Sequence, residues 1–146
     1  MSVARLALLA QCATTLPMVG LIWFVQWVAY PQFARVGPSE FPAYHQAHAY
    51  LIGFLVGPLM LVELVAALAW VLEPGDVVAR PWAVAGLGLV ALAWGVTGLA
   101  SVPQHAILER GFDARAHAVL VSTNWLRTFA WTARGVGLLV LLARRT

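Results

Sequence analysis

Apolar residues fall in four long blocks, 6–30, 44–72, 81–102 and 114–143, with polar residues gathered between them. None alternates with a period of two. Each block is long enough to cross a hydrocarbon core of about 30 Å as a helix, which takes about 20 residues. In lipid only helices and closed barrels satisfy their own backbone hydrogen bonds. The pattern therefore predicts an all-α fold: a four-helix transmembrane bundle with short loops, forming a single integral membrane domain over 1–146. The first block is too long for the apolar stretch of a signal peptide, and no small-residue cleavage site comes after it. It reads as an uncleaved span ending at Pro31. The second block stops at the turn signal Glu73-Pro74-Gly75-Asp76. Pro81 suits the first helical position of the third, and Asp113 is placed to cap the fourth. No internal repeat is visible.

Composition sharpens this picture. Of 146 residues, 62% are apolar and only 10% charged, with a mean hydropathy of +0.82; a soluble domain has about a quarter of its residues charged. All nine basic residues are arginine. They sit at segment ends or inside the fourth block, not in a patch, so a nucleic-acid partner is not expected. The lone Cys12 lies in an apolar run and has no internal partner for a disulfide. Four spans put both termini on one side, with Arg5, Arg80, Arg144 and Arg145. Arg35, Arg110 and Arg115 fall on the other. This bias predicts a multi-pass protein of a bacterial inner or plasma membrane with both termini cytoplasmic.

The same connectivity gathers all four histidines at one membrane face. His45 and His48 open the second span, three residues apart and so on one helix face. His105 lies just after the third span, and His117 opens the fourth. Four imidazoles at one end of a bundle are candidate ligands for a transition metal, copper, iron or zinc, and two on facing helices are candidate axial ligands for haem. The alternatives are a metal-free polar pocket, or interfacial histidines bonded to water and loop carbonyls.

Deeper in the membrane, Asn124, Arg127, Trp131 and Arg134 form one polar stripe on the fourth span. Glu63 lies five turns below His45, roughly 27 Å along the second helix, at the depth of Arg134. Charges in lipid face the bundle interior with a partner, so a structural Glu63–Arg134 ion pair is expected, with Glu63–Arg127 the second choice. Arg127 lies too deep to reach the interface and needs an acid, carbonyls or a ligand. Asn124, and Gln26 from the first span, are at suitable depths to join it. Thr14, Thr15 and Thr97 read as bonded to their own backbone. Gly86, Gly88, Gly95 and Gly98 read as sites of close helix packing, and some of Trp94, Trp125 and Trp131 are expected to pack between helices.

Ser101-Val102-Pro103-Gln104-His105-Ala106-Ile107-Leu108, with Thr123-Asn124-Trp125-Leu126-Arg127-Thr128 further on, resembles the anthrone oxygenase-like family of small four-helix membrane proteins. That family carries a valine-proline pair and a polar residue after its third span, and a tryptophan-asparagine-x-x-arginine stretch in its last. Here the tryptophan comes after the asparagine. Tyr30-Pro31-Gln32-Phe33 and Gly57-Pro58 are compatible with the same pattern. The resemblance implies a membrane bundle and, as an activity, oxygenation of a lipophilic phenolic or polycyclic substrate.

Three functions stand as expectations. The first is a membrane oxidoreductase or oxygenase of a lipophilic small molecule. In it Arg127 and Asn124 stabilise an oxyanion, and His105 or His117 takes the proton. With a metal bound, His45, His48, His105 and His117 become its ligands. The second is a haem-, copper- or quinone-binding subunit without turnover. The third is a structural or partner-binding subunit whose polar stripe only locks the bundle.

Overall fold

The computed structural model describes residues 2–144; Arg145, counted above with the terminal arginines, lies outside them. Four helices long and apolar enough to cross a membrane are present: α1, Val3–Phe33; α2, Phe41–Leu72; α3, Arg80–Leu108; and α4, Ala114–Ala143. Among the described residues there is no strand. Each helix packs against its chain neighbours, and α1 also packs against α4, which closes an up-down-up-down bundle. Large apolar side chains cover the outside, among them Leu99, Phe54 and Leu72, each more than 70% exposed. Such a surface is stable only against lipid. The chain is a multi-pass membrane protein.

One end holds Ala4, Ala7, Trp70, Val77, Ala83 and Leu138 in a common core. There Trp70 donates from Nε1 to the carbonyl of Ala4 at 2.9 Å, and Arg5 lies 3.8 Å from Asp76. The opposite end is built on Tyr30, Phe33, Phe41, Leu108, Ala116 and Leu120. Asp113 caps α4 as expected, its Oδ1 accepting from the amide of Ala116 at 2.7 Å. Arg80 opens α3 with Pro81 beside it in the first turn.

Two helices run past the ends expected from the sequence, Pro31 and Val102. α1 continues through Pro31 to Phe33, and α3 through Pro103 to Leu108. The reason is local. A proline removes one helical N–H and crowds the carbonyl four residues back. In α1 a π turn over Val25–Ala29 precedes Pro31, and in α3 a π turn over Thr97–Ser101 precedes Pro103. Each widened turn accommodates its proline without ending the helix. The two sets share one register: π turn, one residue, then Pro-Gln. His45 comes after Pro31 at the same spacing at which His117 comes after Pro103. The two helical hairpins thus share a backbone device with different side chains around it. As a result His105 sits within α3, not beyond it, and α2 begins at Phe41, before the expected Tyr44.

The glycine expectation holds only in part. A methyl at Gly86 would stand 3.3 Å from Arg134, whereas Gly88, Gly95 and Gly98 have open space around them. The close helix approach lies instead at Gly135, where a Cβ would come within 2.8 Å of the Val19 side chain on α1.

Candidate functional site

The inward stripe of α4 carries two polar clusters, separated by the ring of Trp131. The cluster nearer the termini centres on Glu63 and Arg134, both at most 5% exposed. Arg134 donates from Nε to Glu63 Oε1 at 2.9 Å. It also donates from Nη2 to Gln11 Oε1 at 2.8 Å and from Nη1 to the carbonyl of Gly86. Glu63 accepts from the hydroxyl of Thr15 at Oε1 and from Trp131 Nε1 at Oε2, the latter at 2.9 Å. Gln11 in turn donates to the carbonyl of Ala66. The expected Glu63–Arg134 pair is therefore present, and its hydrogen bonds draw on all four helices. Thr15 departs from its expected role: Thr14 and Thr97 bond back to Ala10 and Ala93 as anticipated, but Thr15 reaches across to the carboxylate.

The second cluster lies toward the histidine end. Arg127 is 6% exposed and sits about 20 Å from the start of α4. Its Nη1 donates to the hydroxyl of Ser101 at 3.2 Å, and the Tyr30 hydroxyl is close enough to interact electrostatically with its guanidinium. It also stacks over Trp131, 5.3 Å from the ring centroid, a cation–π contact. Among the described residues no carboxylate pairs with it. One turn above, Asn124 donates from Nδ2 to Gln26 Oε1 at 2.8 Å.

From Arg127 the polar contacts continue to the rim. The Tyr30 hydroxyl is 3.3 Å from His105 Nε2, and His105 Nδ1 is 2.9 Å from His45 Nε2. His48 lies alongside, its ring 6.2 Å from that of His105 and 6.3 Å from that of Tyr30. The buried side-chain atoms without a partner, among the described residues, are His45 Nδ1, His48 Nε2, Asn124 Oδ1 and Arg127 Nε. All four belong to this cluster. A buried polar atom left unpaired costs about 1–3 kcal/mol, so their concentration in one place singles this cluster out as the candidate site.

The four histidines do share one end, but only three of them meet. His117 donates from Nε2 to the carbonyl of Tyr30 at 2.8 Å. It thus satisfies one of the terminal carbonyls that a helix end leaves open. Phe33 stands between it and the others, with its ring 4.9 Å from His48 and 6.2 Å from His117. The expected four-histidine metal set therefore does not assemble. Among the described residues no group of three or more His, Cys, Asp or Glu is arranged to hold a metal ion. Haem does not fit between His45 and His105 either. Their facing nitrogens are 2.9 Å apart, whereas an ion bound on both sides needs about 4 Å, two bonds of about 2 Å.

A groove of about 330 Å³ opens between α1 and α2, lined by Leu21, Phe24, Val28 and Ile52, with Gln32 and His48 at its polar side. It joins the lipid-facing surface to this end of the bundle. Trp23, Trp27 and Trp125 form an edge-to-face aromatic cluster on the outer surface, so only Trp131 of the deeper tryptophans is fully buried. Sequence reasoning missed Tyr30 and Ser101. Tyr30 reads as an interfacial aromatic, and the signal that could have singled both out is the twice-used Pro-Gln register just beyond them. No family model, curated protein or solved structure matches the chain.

Proposed function

We propose that the Arg127 cluster binds a lipophilic molecule bearing an acidic oxygen, a phenol or an enol, and promotes its ionisation within the membrane. One observation carries the reading. Arg127 is a buried guanidinium with no carboxylate partner, while Arg134, two turns away on the same helix, has a hydrogen bond from each of its nitrogens. A buried cation without a counter-charge is costly, and an anionic oxygen offsets that cost. Arg127 and Asn124 then act as preorganised donors at the developing charge, and His105 is the proton acceptor beyond Tyr30. The groove between α1 and α2 reaches His48 at the near side of this cluster, which supports an approach from the bilayer.

Ionised phenols and enols are electron-rich and open to attack by dioxygen. This supports assignment as a membrane oxidoreductase or oxygenase and agrees with the resemblance to the anthrone oxygenase-like family. The arginine bias supports a bacterial inner or plasma membrane with both termini cytoplasmic.

The test uses the purified chain in detergent with a 4-nitrophenol carrying an alkyl chain, whose visible band reports the phenolate. The expected result is a lower pH midpoint for ionisation in the presence of the protein, returning to the protein-free value with Arg127→Leu. Equal midpoints with the two proteins contradict the reading.

A further inference from the structure

We propose that Tyr30, rather than a histidine, exchanges the proton with the bound molecule, and that Tyr30, His105 and His45 form a proton wire from Arg127 to the histidine rim. This rests on the reading of Arg127 as the seat of an acidic oxygen.

Both nitrogens of His105 are engaged, Nε2 by the Tyr30 hydroxyl and Nδ1 by His45 Nε2. An oxygen seated at the guanidinium therefore meets the Tyr30 hydroxyl before any imidazole. Tyr30 is held for that purpose. It is 3% exposed, its ring packs on Phe33 with centroids 5.6 Å apart, and its carbonyl is clamped by His117. The π turn over Val25–Ala29 ends at the residue before it. Such a turn adds one residue to the helical repeat and re-aims the side chains beyond it, a device common at functional sites.

The transfer balances atom by atom. The ligand O–H bond breaks and its proton joins the Tyr30 oxygen. The hydroxyl proton of Tyr30 passes to His105 Nε2, the Nδ1 proton of His105 passes to His45 Nε2, and the Nδ1 proton of His45 leaves to water at the rim. Before and after, the same two hydrogen bonds are intact with donor and acceptor exchanged, because each imidazole carries one N–H in either tautomer. His45 Nδ1 is buried and has no partner within the protein, so its proton leaves only when the Phe41 ring, stacked on it with centroids 5.6 Å apart, swings aside. The outcome is an anion beside Arg127 and one proton outside.

The experiment tracks the same alkylated 4-nitrophenol by stopped flow, with a pH indicator reading proton release. Tyr30→Phe is expected to slow both signals on the order of a hundredfold, within the range of general acid–base effects, while the affinity for the probe changes by less than about tenfold. A purely structural role for Tyr30 predicts loss of affinity without that split. Wild-type rates in Tyr30→Phe, with the phenolate band present, overturn the wire alone. A missing band in the unaltered protein overturns the Arg127 reading and the wire with it. Should Tyr30→Phe fail to fold, ¹⁵N spectra of the unaltered protein decide. Exchange of the protonated nitrogen in both His105 and His45 on adding the probe supports the wire, and unchanged tautomers refute it.

Discussion

Arg134 and Arg127 stand on one face of one helix, seven residues apart, both buried, and they are treated oppositely. Around Arg134 a carboxylate, an amide oxygen and a backbone carbonyl each accept from one of its three nitrogens, and the carboxylate also accepts from Thr15 and Trp131. Around Arg127 there is a serine hydroxyl, a tyrosine hydroxyl and the face of Trp131, and its Nε is unpaired. The first arrangement is complete within the chain and ties the four helices together, beside a cavity of about 680 Å³ that Gln11, Gly86 and Arg134 help to line. The second leaves a guanidinium nitrogen without a partner, which is the ground for proposing that an acceptor from outside the chain completes it. Hydrogen-bond completeness, more than charge or depth, separates a structural polar cluster in a membrane bundle from a site.

The comparison is most sharply strained by breaking the closed cluster. Glu63→Leu leaves Arg134 uncompensated and strands the donors of Thr15 and Trp131. It should destabilise the bundle by about 3–5 kcal/mol, read by denaturant titration in detergent, and Glu63→Leu combined with Arg134→Leu should recover most of that loss. Next in size is the helix approach beside the pair. Gly135→Ala drives a methyl into Val19 and should cost about 1–3 kcal/mol. Gly98→Ala, in the π turn of α3 with open space around it, should stay within about 0.5 kcal/mol. If both glycines respond alike, the contrast in packing between the two regions is lost. Smaller still, His117→Ala removes a bond to the Tyr30 carbonyl and should cost about 1 kcal/mol. It should leave the nitrophenol midpoint where it was, since His117 touches the cluster only through the backbone of Tyr30 and the midpoint depends on Arg127.

Much of the molecule is legible in the residue pattern, and the limits have physical causes. Block length and apolarity determine the spans, connectivity alone gathers the histidines, and counting turns puts Glu63 level with Arg134. The hidden features depend on side-chain direction and local backbone. Pro31 and Val102 read as helix ends because a π turn has no residue code, and so His105 reads as a loop residue. The repeat between the hairpins escapes the pattern because it lives in the register of turn and proline while the flanking side chains differ. His117 groups with the other histidines because spacing cannot show that Phe33 inserts between them. Tyr30 reads as an interfacial aromatic, since nothing in its neighbours reveals that its hydroxyl meets both Arg127 and His105.

The most direct test measures stability for Arg134→Leu and Arg127→Leu side by side, each with and without the alkylated nitrophenol. Arg134→Leu should lose about 3–5 kcal/mol because Glu63 is left buried and alone, and the probe should still stabilise it. Arg127→Leu should stay within about 1 kcal/mol of the unaltered protein, since it abandons the Ser101 hydroxyl but no buried charge, and should lose all stabilisation by the probe. Equal losses in the two variants, with probe stabilisation retained in Arg127→Leu, would contradict the contrast between the two arginines.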